Sequence, residues 1–108
     1  MSVMLVHQKV KDEHIEEAEA AARDLFTTLD RVHPEGLRYA STRVAGTSTF
    51  VIVFELADGA EDPRPAIPEY AQFLEQLKTW VEGAPVVETL DVVGSYNLFG
   101  SKREASAA

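Results

Sequence analysis

The segment Thr49-Phe50-Val51-Ile52-Val53-Phe54-Glu55-Leu56 decides the fold. It is short, rich in β-branched and aromatic residues, and bounded by Gly46-Thr47-Ser48 on one side and a proline-containing stretch on the other, which predicts a strand. Phe50, Ile52, Phe54 and Leu56 occupy one parity, and Val51 and Val53 the other. A strand apolar on both parities is a central one, covered on both faces. Glu55 interrupts the pattern and reads as a paired or pocket-mouth carboxylate.

Met4-Leu5-Val6 is the other continuously apolar run and lies within a strand predicted over residues 3–10. Residues 37–45 carry Arg38, Ser41, Thr42 and Arg43, as an edge strand would, and form a hairpin with 49–56 through the turn at 46–48. Between the first two strands, Ile15, Ala18, Ala22, Leu25, Leu29 and Val32 recur at steps of three and four, the stripe of an amphipathic helix. Asp12 is its expected cap, Glu13, Glu16 and Glu17 suit the positive end of its dipole, and Pro34 and Gly36 end it. Residues 58–68 form an acidic surface loop with Pro63, Pro65 and Pro68, the last opening a second helix. That helix carries Tyr70, Phe73, Leu74, Leu77, Trp80 and Val81 on one stripe and closes at Gly83, with Pro85 beyond. Residues 86–98 read as a last, overhanging strand, and 101–108 as a frayed tail without apolar pattern. The domain therefore spans residues 1–100.

The order β-α-β-β-α-β, with right-handed crossovers, gives a ferredoxin-like α+β fold: a four-stranded antiparallel sheet, its first and third strands central and both helices on one face. The opposite face then carries Val side chains from two strands. At about 25 cal/mol per Å², leaving them in water forfeits a few kcal/mol, a large share of a small domain's stability. A second copy related by a two-fold axis is the expected cover; a monomer with a one-sided apolar patch is the alternative.

With 10 basic against 18 acidic residues the 108-residue chain has a net charge of −8, which disfavours nucleic acid and anionic membrane surfaces as partners. No apolar run approaches the roughly 18 residues of a membrane span. The start of the chain has no signal-like pattern, so the expected location is the cytoplasm. The absence of cysteine removes disulfides, thiolate metal sites and a cysteine nucleophile. His7, His14 and His33 have no metal-like spacing, and no nucleotide-binding or nucleophile-elbow motif is present, so neither metal nor cofactor is expected.

His7 shares strand parity with Val3 and Leu5 in a central strand. It is the candidate catalytic residue, a general base or donor facing a helix–sheet pocket, with a structurally satisfied histidine as the alternative. Trp80, Tyr70 and Phe73 are candidate substrate-binding walls, although such a stripe is also ordinary core. Tyr39, Ser41 and Arg43 share one parity, so Arg43 is a candidate for holding an anionic oxygen if that face points at the helices. Tyr96, at the end of the last segment, can project toward the pocket or across a dimer.

The element order, the length and the ending Glu88-Thr89-Leu90-Asp91-Val92-Val93-Gly94-Ser95-Tyr96 resemble the dimeric α+β barrel superfamily, within it the antibiotic-biosynthesis monooxygenase family, over about residues 3–99. The resemblance implies a homodimer whose two sheets form a barrel, with a pocket in each protomer between helices and sheet. Its members include cofactor-free oxygenases of polyketide-type aromatics, haem-degrading enzymes and isomerases. Haem-degrading relatives place an asparagine near the end of the first strand and a tryptophan and histidine near the second helix. This chain has His7 at the strand position, Trp80 late in the helix and no histidine after His33, which disfavours haem degradation. Trp80, Tyr70, Tyr39, Arg43 and Asn97 are the residue types that cofactor-free members use to hold an enolisable substrate. Three functions remain open: a cofactor-independent oxygenase or isomerase of a small, flat, apolar substrate, a non-catalytic ligand-binding homodimer, and an accessory homodimer without a cavity.

Overall fold

A computed structural model describes residues 2–98; the tail expected at 101–108 lies outside the described residues. Strands β1 (Ser2–Lys9), β2 (Leu37–Arg43), β3 (Thr49–Leu56) and β4 (Val86–Leu90) and helices α1 (Ile15–Val32) and α2 (Pro68–Lys78) follow one another as β-α-β-β-α-β. The sheet is antiparallel in the order β2-β3-β1-β4, which places the two most apolar strands at its centre.

Register fixes the faces. Val6 lies opposite Ile52, and Gln8 opposite Phe50, while Tyr39 lies opposite Phe54 and Ser41 opposite Ile52. These residues point at the helices, because they line one cavity with side chains of α1 and α2. The alternate parity therefore faces away: Val3, Leu5 and His7, with Val51, Val53 and Glu55 beside them and Val86, Glu88 and Leu90 on β4. The helix side is sealed at one end by Val10, Ala18 and Phe50, with Ile52 and Trp80 packed against them.

Local chemistry moved several boundaries. Asp12 is not a helix cap: residues Asp12–His14 form a 3-10 turn in which the His14 N–H donates to the Lys11 carbonyl at 2.9 Å, and α1 starts after it without a side-chain cap. At its other end His33 takes the left-handed conformation, φ 54°, and donates its N–H to the Leu29 carbonyl. Helix α2 stops at Lys78 rather than at Gly83, because the chain after it turns to pair with the end of β1. Lys11 N–H donates to the Trp80 carbonyl, Glu82 N–H to the Lys9 carbonyl, and Val10 bridges Val81. Strand β4 ends at Leu90 rather than at residue 98. Its ladder partner is β1, and their pairing runs out where Leu90 meets Val3, next to the start of β1.

One glycine is structurally required. Gly36 has φ +79°, its carbonyl accepts from Ala57 N–H at 2.9 Å, and a Cβ there would lie 2.9 Å from Ala60 Cβ. The backbone angle and the contact both exclude a side chain. Gly36→Ala is expected to destabilise the fold by at least about 1 kcal/mol, read as a lowered denaturant midpoint with unchanged slope.

Candidate active site

Small residues on α1 face large ones on the sheet. Ala18 and Ala22, one turn apart, sit over Phe50 and Ile52, and the helix and sheet backbones cannot close far enough to fill the space the alanines leave. The result is a cavity of about 190 Å³ between helices and sheet. Phe73 and Leu77 of α2, Leu25 and Phe26 of α1, and Val6 and Phe54 of the sheet continue its apolar wall. Gln8 is buried in the floor and anchored through its Nε2, which donates to the Lys9 carbonyl at 2.9 Å and the Gly83 carbonyl at 3.3 Å.

One end of the cavity is polar. The connection from β3 to α2 contains a 3-10 turn, Arg64–Ala66, started by an Asp62 carboxylate that accepts the Arg64 backbone N–H at 3.0 Å. The same carboxylate takes the Arg64 side chain in a fork, from Nε at 3.0 Å and from Nη2 at 2.8 Å. So clamped, the guanidinium lies 3.8 Å from the centre of the Phe54 ring, with Tyr70 and Tyr39 at 5.3 and 5.8 Å. Nη1 donates to the Tyr70 hydroxyl at 3.3 Å. Tyr39 is further braced by Phe26, 5.1 Å away, and by Phe54 in an edge-on contact.

These contacts set the protonation states. The Arg64 hydrogen bond holds the Asp62 carboxyl below its ordinary value against the opposing effect of burial. Burial works against the charge of Arg64, but the Asp62 bond and the neighbouring phenols and carboxylate outweigh it, and its pKa is raised. Burial pushes the Tyr39 phenol up to about 12, so it stays neutral across the physiological range. Arg64 is thus the one charged residue among the described residues lining the cavity, which include no histidine and no carboxylate.

Of the residues singled out from the sequence, Tyr70 and Phe73 meet at this cavity, and Tyr39 and Ser41 line it with them. The others lie elsewhere. The placement expected for His7 is corrected: its parity is the one facing away from the helices, where Nε2 pairs with Glu88 Oε1 at 3.2 Å. Trp80 leaves the α2 stripe when the chain turns toward β1, and it packs against the Val10 cluster and stacks on His14 at 6.3 Å. Arg43 does face the helix side, but at the sheet edge Glu19 of α1 takes its Nε at 2.8 Å and the Thr47 carbonyl takes Nη1, in a shallow groove outside the cavity. Tyr96 follows the end of β4 and is almost fully exposed. Sequence reasoning passed over Arg64 and Asp62. The signal was Asp62-Pro63-Arg64-Pro65, an acidic residue two positions before an arginine held between prolines. Among the described residues no group of three His, Asp or Glu side chains is placed to hold a metal ion.

No family model and no curated protein matches the sequence. Solved structures do match the fold. A candidate antibiotic biosynthesis monooxygenase from Caulobacter crescentus superposes with a TM-score of 0.72 at 20% identity, over 86% of this chain and 90% of that one. A similarly described protein from Nitrosomonas europaea gives 0.70 at 18% identity, over 87% of this chain and all of that one. One from Bacteroides thetaiotaomicron gives 0.67 at 18% identity, over 92% and 91%. The ferredoxin-like α+β architecture is therefore that of the antibiotic biosynthesis monooxygenase-like structures.

The Asp62–Arg64 clamp makes a prediction about acid stability. A carboxyl whose folded pKa lies below its unfolded value, about 3.9 for Asp, contributes stability above that value and loses it as pH falls through the folded pKa. Asp62→Asn removes this contribution, so the mutant is expected to melt lower at neutral pH and to lose less than wild type when acidified below about pH 4. Thermal melts across about pH 2–7, on both proteins, check this by the narrowing of the gap between the two curves.

Proposed function

We propose that the protein is a homodimeric, cofactor-independent monooxygenase-like enzyme that admits a small, flat, mostly apolar or aromatic substrate to the cavity between its helices and sheet. The observation that carries this reading is the cavity itself, with mostly apolar walls and a single fixed cation at one end. The fold it shares with proteins described as monooxygenases supports the choice of chemistry. Tyr70 and Phe73 serve as substrate wall.

In this chemistry the substrate is its own reductant. An enolisable methylene compound gives up a proton, and its enolate passes electrons to dioxygen. The net change consumes one dioxygen per methylene group: both C–H bonds of that carbon break, a carbonyl forms there, and one water is released. One oxygen atom enters the new carbonyl and the other leaves in the water with the two hydrogens. The protein's part is to orient the substrate, exclude bulk water and stabilise the anionic oxygen. The described cavity wall offers no carboxylate or imidazole as base, so the substrate must be acidic enough to release its proton to water at the mouth. That same lack of a base favours a second reading, a homodimer that binds the ligand without transforming it.

Support for the dimer comes from the face away from the helices. Central strands β1 and β3 present Leu5, Val51 and Val53 there, and β4 exposes Val86 by more than half. Exposed apolar side chains continue past β4 in Val93, Tyr96 and Leu98. A second sheet laid on this face buries Leu5, Val51, Val53 and Val86 together.

Two measurements test the proposal. Dithranol, an enolisable anthrone, is expected to be oxidised with oxygen uptake above its spontaneous rate, and Ala22→Trp, which fills the cavity, to abolish the excess while circular dichroism stays unchanged. Binding without uptake supports the non-catalytic reading, and absence of both overturns the site. Native mass spectrometry is expected to show a dimer for wild type and a monomer for Val53→Asp. A wild-type monomer at micromolar concentration rejects the barrel.

A further inference from the structure

The charge at the end of the cavity is only partly spent on the fold, through its clamp to Asp62. A guanidinium has five N–H donors. Asp62 engages Nε and one hydrogen of Nη2, Tyr70 receives one from Nη1, and the Tyr39 hydroxyl is a further side-chain hydrogen-bond partner, so among the described contacts at least one terminal N–H is left. The side chain is 13% exposed and lines the cavity, where the surrounding walls are aromatic and aliphatic. A charged donor in such surroundings interacts far more strongly with a negative oxygen than it would in water, because little solvent screens it.

We propose that Arg64 makes the cavity selective for a ligand carrying one anionic oxygen, a phenolate or enolate, on an otherwise apolar body. The proposal rests on the reading of the cavity as a ligand site and adds the charge state of its occupant. Three titratable groups face the guanidinium. Asp62 is held ionised by it, Tyr39 stays a neutral phenol, and Tyr70 is bound through its hydroxyl. The neutral Tyr39 phenol does not compete as an anion for the guanidinium. Asp62 acts as a positioning residue, since its fork holds the guanidinium against the Phe54 ring. The chain's net charge of −8 repels anions at long range, so the preference is local to the cavity.

A matched pair of probes separates charge from shape: 4-nitrophenol, which ionises with a colour change, and 4-nitroanisole, the same ring with a methyl ether. Wild-type protein is expected to bind the nitrophenolate at least about tenfold tighter than nitroanisole, and to lower the ionisation midpoint of the bound phenol by about one pH unit or more. Arg64→Gln is expected to erase the preference and the midpoint shift while keeping nitroanisole affinity, which also shows that the cavity has survived. Arg64→Lys, which keeps the charge without the planar fork, is expected to retain part of both. Nitroanisole binding with no preference for the phenolate, or a preference unchanged in Arg64→Gln, overturns the proposal and leaves the cavity reading standing. Failure of wild type to bind either probe overturns both.

Discussion

The antiparallel pairing of β1 with β3 is the constraint from which the rest follows. It joins the two most apolar strands over eight register pairs, Ser2 with Leu56 through Lys9 with Thr49. Side chains alternate across this ladder, so one register commits Val6, Gln8, Phe50, Ile52 and Phe54 to the helices and Leu5, His7, Val51 and Val53 to the other side. Both helices cross to the same face, and the two faces acquire different tasks from one act of pairing. The helix face encloses a cavity, and the other face asks for a partner.

The cavity is a consequence of mismatch rather than of a dedicated motif. Alanines on α1 opposite phenylalanine and isoleucine on the sheet leave unfilled volume, and the connection before α2 supplies the polar end. That connection does three things with few residues. Prolines stiffen it, the Asp62 carboxylate organises its turn, and the same carboxylate aims the only arginine that reaches the described cavity wall. A charged group is tolerated against aromatic rings because its counter-charge is two residues away and its cation lies close to their π-electrons.

Most of the architecture was legible in the sequence, because two periodicities, of two and of about 3.6, are written plainly into residues 3–56 and 68–81. The central placement of the first and third strands followed from apolarity on both parities, and Tyr70 and Phe73 followed from the α2 stripe. What resisted was whatever depended on a neighbour. His7 shares parity with Val3 and Leu5, but parity alone does not say which face the helices take. Trp80 sits on a helical stripe in sequence, yet backbone bonds to Lys9 and Lys11 draw its segment off the helix. Arg43 points to the helix side, where Glu19, 24 residues earlier, intercepts it. Arg64 was hidden by composition, since a proline-rich acidic stretch looks like solvated loop until its turn is built.

The approach of Gly36 to Ala60 has a mechanical consequence for ligand discrimination. The stretch that presents Arg64 is pinned at both ends, at its root by the Ala57-to-Gly36 backbone bond and the close packing of Ala60, and at its exit by the buried Ile67. Between those pins it behaves as a short braced arch whose crown carries the charge. The arch stands on the corner where α1 hands over to β2, not on the helix that roofs the cavity. Distortion at that distant corner would therefore tilt the crown and blur the choice of ligand while the cavity walls stayed in place.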